Sequence, residues 1–116
     1  MKHLCLVYAL PGAVSTLPAD EQATLNRDSL AYDRKLMDEG RFIAASALQP
    51  VRTARTVRLR GGKRVVTDGP FAETNEVLVG FVFIEAADMD EAVAIAQDIP
   101  MARYAAIEVR PELDFG

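Results

Sequence analysis

Apolar residues fill both alternating sets of Lys2–Leu10, with Cys5 and Val7 on one side and Leu4, Leu6 and Tyr8 on the other. A strand with two apolar faces is a strand covered on both, and Pro11-Gly12 ends it. Val77–Ala86 repeats the pattern more strongly. Val77, Val79, Phe81 and Phe83 share one face, and Leu78, Gly80, Val82 and Ile84 the other. Between these strands the period changes. Leu25, Ser29, Tyr32 and Leu36 recur at steps of four, three and four, which sets them on one face of a helix. Pro18 suits its first turn, Asp20 and Glu21 complement the dipole, and Gly40 marks its end. A second helix opens at Asp88-Met89-Asp90-Glu91, an N-cap with an acid three residues later. Ala92, Ile95, Ala96 and Ile99 form its buried face, and Pro100 closes it.

The weaker segments complete the order. Arg41–Leu48 reads as a strand of small residues ended by Gln49-Pro50. Thr53–Arg60 and Lys63–Thr67 read as a hairpin joined by Gly61-Gly62, a pair that tolerates positive φ. Asp68-Gly69-Pro70 is a turn, Phe71–Glu76 a loop or short helical turn, and Ala105–Arg110 a last strand. The sum is βαβ, hairpin, βαβ: one α+β domain over residues 1–116, a ferredoxin-like split βαβ with an inserted β-hairpin. In that topology the first and third main strands are central, and these are the two with apolar residues on both faces.

Two helices cover only one face of such a sheet. The other carries roughly half of Leu4–Tyr8 and Val77–Ile84. At ~25 cal/mol per Å² of apolar surface, covering it is strongly favourable. A second copy packed sheet to sheet is the expected cover, giving a homodimer. The alternative is a monomer covered by its own hairpin.

Composition narrows the partners. A net charge of −4 over 116 residues supplies no electrostatic footprint for nucleic acid or an anionic membrane. No apolar run approaches the ~20 residues a bilayer requires, and no leader is visible, so a cytoplasmic protein is expected. The single cysteine, Cys5, excludes an intrachain disulfide.

Asp68, Glu73 and Glu76 form the densest acidic group near a turn. They could converge as a general base or bind a hard cation, although an Asp before Gly is also an ordinary turn former and glutamates on loops are usually solvated. Asp68 and Glu73 are the catalytic candidates. Glu76 joins the candidate ligand contacts, and Phe71 with Pro70 is expected to anchor the loop in the core. Ser29 lies on the apolar helix face, where it can line a pocket, and Tyr32 can donate a hydrogen bond there. No histidine base accompanies Ser29, which argues against a serine nucleophile. His3, the sole histidine, and Cys5 read as structural. No cofactor or metal is expected. Arg52, Arg55, Arg58, Arg60, Lys63 and Arg64 make the hairpin basic; they could hold an anionic substrate or an acidic partner, while a solvated surface explains most of them.

The run Asp68-Gly69-Pro70-Phe71-Ala72-Glu73-Thr74-Asn75-Glu76 resembles the signature of the DGPF (YCII-related) family, usually written DGPFAETKE, with Asn75 in place of the lysine. Ala47-Leu48-Gln49-Pro50, Thr56-Val57-Arg58, Gly80-Phe81 and Ile107-Glu108-Val109-Arg110-Pro111 extend the resemblance over nearly the whole chain, and because they lie in these matched motifs Gln49 and Arg58 are the better candidates for a ligand contact. It implies a dimeric α+β barrel. The wider YCII-related group also suggests a His–Asp dyad. Its histidine, eleven residues before the glycine that ends the first helix, matches Ser29; its aspartate, preceding a proline after the second helix, matches Ile99. Both are lost, and Asp98 is displaced by about 100° on a helix. Related barrels host lyase, isomerase and cofactor-free oxygenase activities, while members of the resembled family are often encoded beside extracytoplasmic-function sigma factors, which implies a regulatory role as the alternative. Three readings stay open: an enzyme with a pocket between helix and sheet, a non-catalytic ligand-binding or regulatory protein, and a protein-interaction module.

Overall fold

A computed structural model describes all residues, 1–116. The chain runs β1 (Lys2–Ala9), α1 (Ala19–Asp38), β2 (Phe42–Ala47), β3 (Arg55–Arg60), β4 (Lys63–Asp68), β5 (Val77–Glu85), α2 (Met89–Gln97) and β6 (Ala106–Pro111), with short 3-10 turns at Val51–Thr53 and Pro100–Arg103. Four strands form one antiparallel sheet in the order β2-β5-β1-β6. This is the ferredoxin-like order, with β1 and β5 central as their two apolar faces require. β3 and β4 pair only with each other, as the inserted hairpin.

The helices cover one face of the sheet. His3, Cys5, Val7 and Ala9 of β1, with Val82 and Ile84 of β5, are buried beneath them. Cys5, Val82 and Ile84 join Leu36 of α1 and Ala92, Ile95 and Ala96 of α2 in the core. His3 is only 1% exposed, and its Nδ1 lies 3.3 Å from the Met1 carbonyl oxygen. Cys5 is fully enclosed, and burial pushes its thiol up to about 11.

Local signals place the helix ends. Pro18 stands at the N-cap of α1, one position earlier than a first-turn proline. Gly40, at φ +71°, turns the chain out of the helix. Asp88 caps α2 by accepting from the Glu91 amide at 2.9 Å. The return bond reaches one residue further back than in a standard capping box: Glu91 Oε1 accepts from the Ala87 amide at 3.2 Å. Arg103 and Asp28, 2.9 Å apart, tie the turn after α2 to α1.

Two bulges correct the simple alternation. Val7 pairs with Gly80 but Tyr8 with Leu78, which leaves Val79 as the extra residue in β5. Directly opposed residues share a face, so Leu78 joins Tyr8 on the open face and Val77 joins Ala9 on the helix-bearing one. Ile43 bulges from β2 in the same way. The open face then carries an apolar ladder, Leu4–Phe83, Leu6–Phe81 and Tyr8–Leu78, flanked on β6 by Arg110 and Glu108. No element of the chain covers it.

The molecule is flat, 47 × 45 × 19 Å, with a radius of gyration of 16.1 Å against about 13–14 Å for a compact chain of this length. The β3–β4 arm accounts for the excess. Every residue of both strands is exposed except Thr56, which is half-buried. Val57, Val66 and Leu59 form an apolar cluster on one face of the arm and are 65%, 58% and 70% exposed. No helix is long and apolar enough to cross a membrane.

Candidate functional site

A cavity of about 820 Å³ lies between α1 and the sheet. Its floor is the helix-bearing face near Val7, Ala9, Ala45 and Val82. Gly80 lets the floor form. A Cβ there would lie 2.7 Å from the Ser46 carbonyl oxygen, so only glycine allows β2 to approach β5 this closely. The loop after β1, the Gln49–Arg52 segment and the bulged start of β5 make the rim. Ile99, Pro100 and Met101 close the end beside α2.

α1 presents a polar ridge to this mainly apolar space. Asn26, Ser29 and Asp33 all line it, at steps of three and four residues. Tyr32 contributes its ring, since its hydroxyl donates to the Ile95 carbonyl at 2.7 Å and ties α1 to α2. Burial pushes Tyr32 up to about 12, and the nearby negative charges of Asp98 and Glu39 act in the same sense. Asp33 is also raised above its ordinary value by burial. It takes part in none of the five ion pairs. Arg52 stands at the rim.

The candidates from the sequence divide into two groups. Ser29, Tyr32 and Gln49 line the cavity together. Arg58, Asp68, Phe71, Glu73 and Glu76 do not. Asp68 sits at the base of the arm, 3.6 Å from Arg55, with a side chain 93% exposed. Glu73 and Glu76 are exposed on the connection to β5. Phe71 does not anchor that loop in the core; it is 76% exposed. The turn is held from the arm instead. The Gly69 amide donates to the Ala54 carbonyl at 2.8 Å, the Thr56 hydroxyl donates to the Gly69 carbonyl at 2.9 Å, and Arg58 donates to the Phe71 carbonyl at 3.2 Å.

Ser29 and Ile99, the positions that the resemblance matches to a dyad, both line the cavity. Asp98 caps the C-terminus of α2 and is exposed, outside the cavity wall. Asp33 is a cavity residue that the sequence pattern does not single out. Its signal was present, because Asn26, Ser29 and Asp33 follow one helical ridge. That ridge adjoins the apolar stripe: Ser29 reads with the stripe, while Asn26 and Asp33 merge with the solvated face.

The sequence matches the YCII-related domain over residues 1–115. The chain belongs to the YCII-related family. An uncharacterized protein of Rhizobium meliloti (strain 1021) is 36% identical over 113 residues, spanning 96% of this chain and 91% of the relative. Among solved structures, the fold is similar to that of 5-chloro-2-hydroxyhydroquinone dehydrochlorinase from Burkholderia phenoliruptrix AC1100, determined with 2,5-dihydroxybenzoquinone. The TM-score is 0.56 at 16% identity, covering 97% of this chain and 94% of the other. At that identity the likeness is one of fold. This YCII-related chain thus has a ferredoxin-like α+β fold with a cavity between helix and sheet.

Proposed function

We propose that the protein binds a small, mostly apolar molecule in the cavity between α1 and the sheet, and that it does so as a homodimer. The cavity carries the reading: about 820 Å³ with apolar walls and a few placed polar groups is the usual form of a small-molecule site. The structural neighbour's complex with a small ring compound supports the ligand class.

The homodimer reading rests on what the single chain leaves open. Only 15 of 116 residues are buried, and the Leu4–Phe83, Leu6–Phe81 and Tyr8–Leu78 ladder has no cover. A second copy suits that face better than an unrelated partner, because each copy offers both Glu108 and Arg110 beside its ladder and a two-fold axis sets opposite charges against each other. The arm's Val57, Leu59 and Val66 face adds to the surface for that copy. Asp68 and Glu73 lie outside their own cavity, so on this reading they reach a ligand only if a partner's arm brings them.

Titration of isotopically labelled protein with 2-naphthol tests the site. Chemical shifts should move at the amides of Ala9, Ala45 and Gly80. Shifts confined to the arm, or none at millimolar ligand, would sink the reading. Light scattering at micromolar concentration should give twice the chain mass, and a single-chain mass removes the dimer.

A further inference from the structure

Asp33 is a half-buried carboxylate in an apolar cavity with no cation beside it. Buried charges are normally paired, so this one is available to a partner from outside the chain. Ser29, one helical turn before it, lines the same wall. Tyr32, between them, has its hydroxyl committed to Ile95 and offers only its ring. The other ionisable side chains of the wall are Tyr32 and Arg52, and Arg52 stands at the rim with no part in an ion pair. On α1 the cavity therefore has a polar wall, with an acceptor at Asp33, a hydroxyl at Ser29 and an amide at Asn26, while Ser15, Ser46 and Gln49 are the other uncharged polar side chains that line it.

We propose that Asp33 is the group that recognises the ligand, accepting a hydrogen bond from a hydroxyl on a neutral ring, and that the cavity thereby selects phenol- or enol-type molecules over their ethers and over carboxylates. A hydroxyl brings the donor that Asp33 lacks without bringing a charge into apolar surroundings. A carboxylate would set two negative charges against each other, and an ether has no hydrogen to give. Burial of the Asp33 carboxyl works in the same direction, since a poorly hydrated acceptor gains more from a donor.

This inference rests on the small-molecule reading of the cavity, and one experiment separates the two. Binding of 2-naphthol and of 2-methoxynaphthalene, its methyl ether, is measured for the native protein, Asp33→Asn and Asp33→Ala. A hydrogen bond to a charged acceptor corresponds to about tenfold tighter binding or more. The native protein should therefore prefer the naphthol by about that factor. Asp33→Ala should lose the preference while still binding the ether as the native protein does, which also shows that the variant is folded. Asp33→Asn, which keeps an oxygen but no charge, should fall between them. If both compounds bind the native protein equally, or Asp33→Ala keeps the preference, the assignment of Asp33 is overturned and the cavity reading stands. If neither compound binds any of the three, both fall.

Discussion

The four-stranded sheet and the β3–β4 arm are written in much the same alphabet and end in opposite surroundings. Each carries apolar residues in alternating sets, both sets in β1 and β5 and mainly one in the arm, and each forms the strands its pattern predicts. In the sheet the alternation meets two helices, and Cys5 and Ile84 are sealed completely. In the arm it meets nothing, and Val57, Leu59 and Val66 stand in solvent. A two-stranded ribbon is marginal in water without a layer against it. Periodicity therefore tells which residues form a strand. What covers the strand depends on elements that need not belong to the same chain.

The largest effect should separate the two regions directly. Ile84→Ala removes a sealed side chain from the core and should cost about 2–5 kcal/mol in denaturant unfolding. Val57→Ala in the arm should fall within about 0.5 kcal/mol if the arm is solvated. A clear loss at Val57 that depends on protein concentration would show that a second chain covers it. Next is Gly80→Ala. The added Cβ meets backbone rather than a flexible side chain, so a cost of about 1–3 kcal/mol is expected. An unchanged midpoint would mean that β2 can withdraw from β5 without penalty.

The smallest effect concerns charge. Burial raises the carboxyl of Asp33 in the folded chain. In the unfolded chain it titrates near its ordinary value of about 3.9. The folded state thus holds the proton more tightly. Its contribution favours folding below the unfolded value and is lost as pH rises through the folded one. At neutral pH the ionised group is a small burden, so Asp33→Asn should leave the melting temperature unchanged or slightly higher at pH 7. Any gain should shrink as the pH falls through the raised value of the folded chain and be gone below that of the unfolded carboxyl. A variant markedly less stable at pH 7 would mean that Asp33 holds the fold together.

Much of the sheet could be read from the sequence, because its signals are local and redundant. Gly40, Asp88 and the paired apolar faces of β1 and β5 each mark a position twice, by residue type and by spacing. The bulge at Val79 could not be read, since one extra residue in an all-apolar strand leaves its composition unchanged. The site was legible in part. Ser29, Tyr32 and Gln49 were found because each adjoins a recognisable pattern. Asp33 and Arg52 were passed over because a charged residue at the edge of an apolar stripe looks the same whether it faces water or a cavity. The DGPF run named the family, while its acids and Phe71 sit on the surface of the single chain.

Cys5 has a practical consequence. A thiol that is fully enclosed and pushed up to about 11 is largely protonated at neutral pH and screened from reagents. The native protein therefore behaves towards maleimides and spin labels almost as a cysteine-free background. A single exposed substitution on the arm, such as Lys63→Cys, can carry a probe without removing the native residue. In a dimer, the distance between two such probes would measure directly how far apart the arms lie.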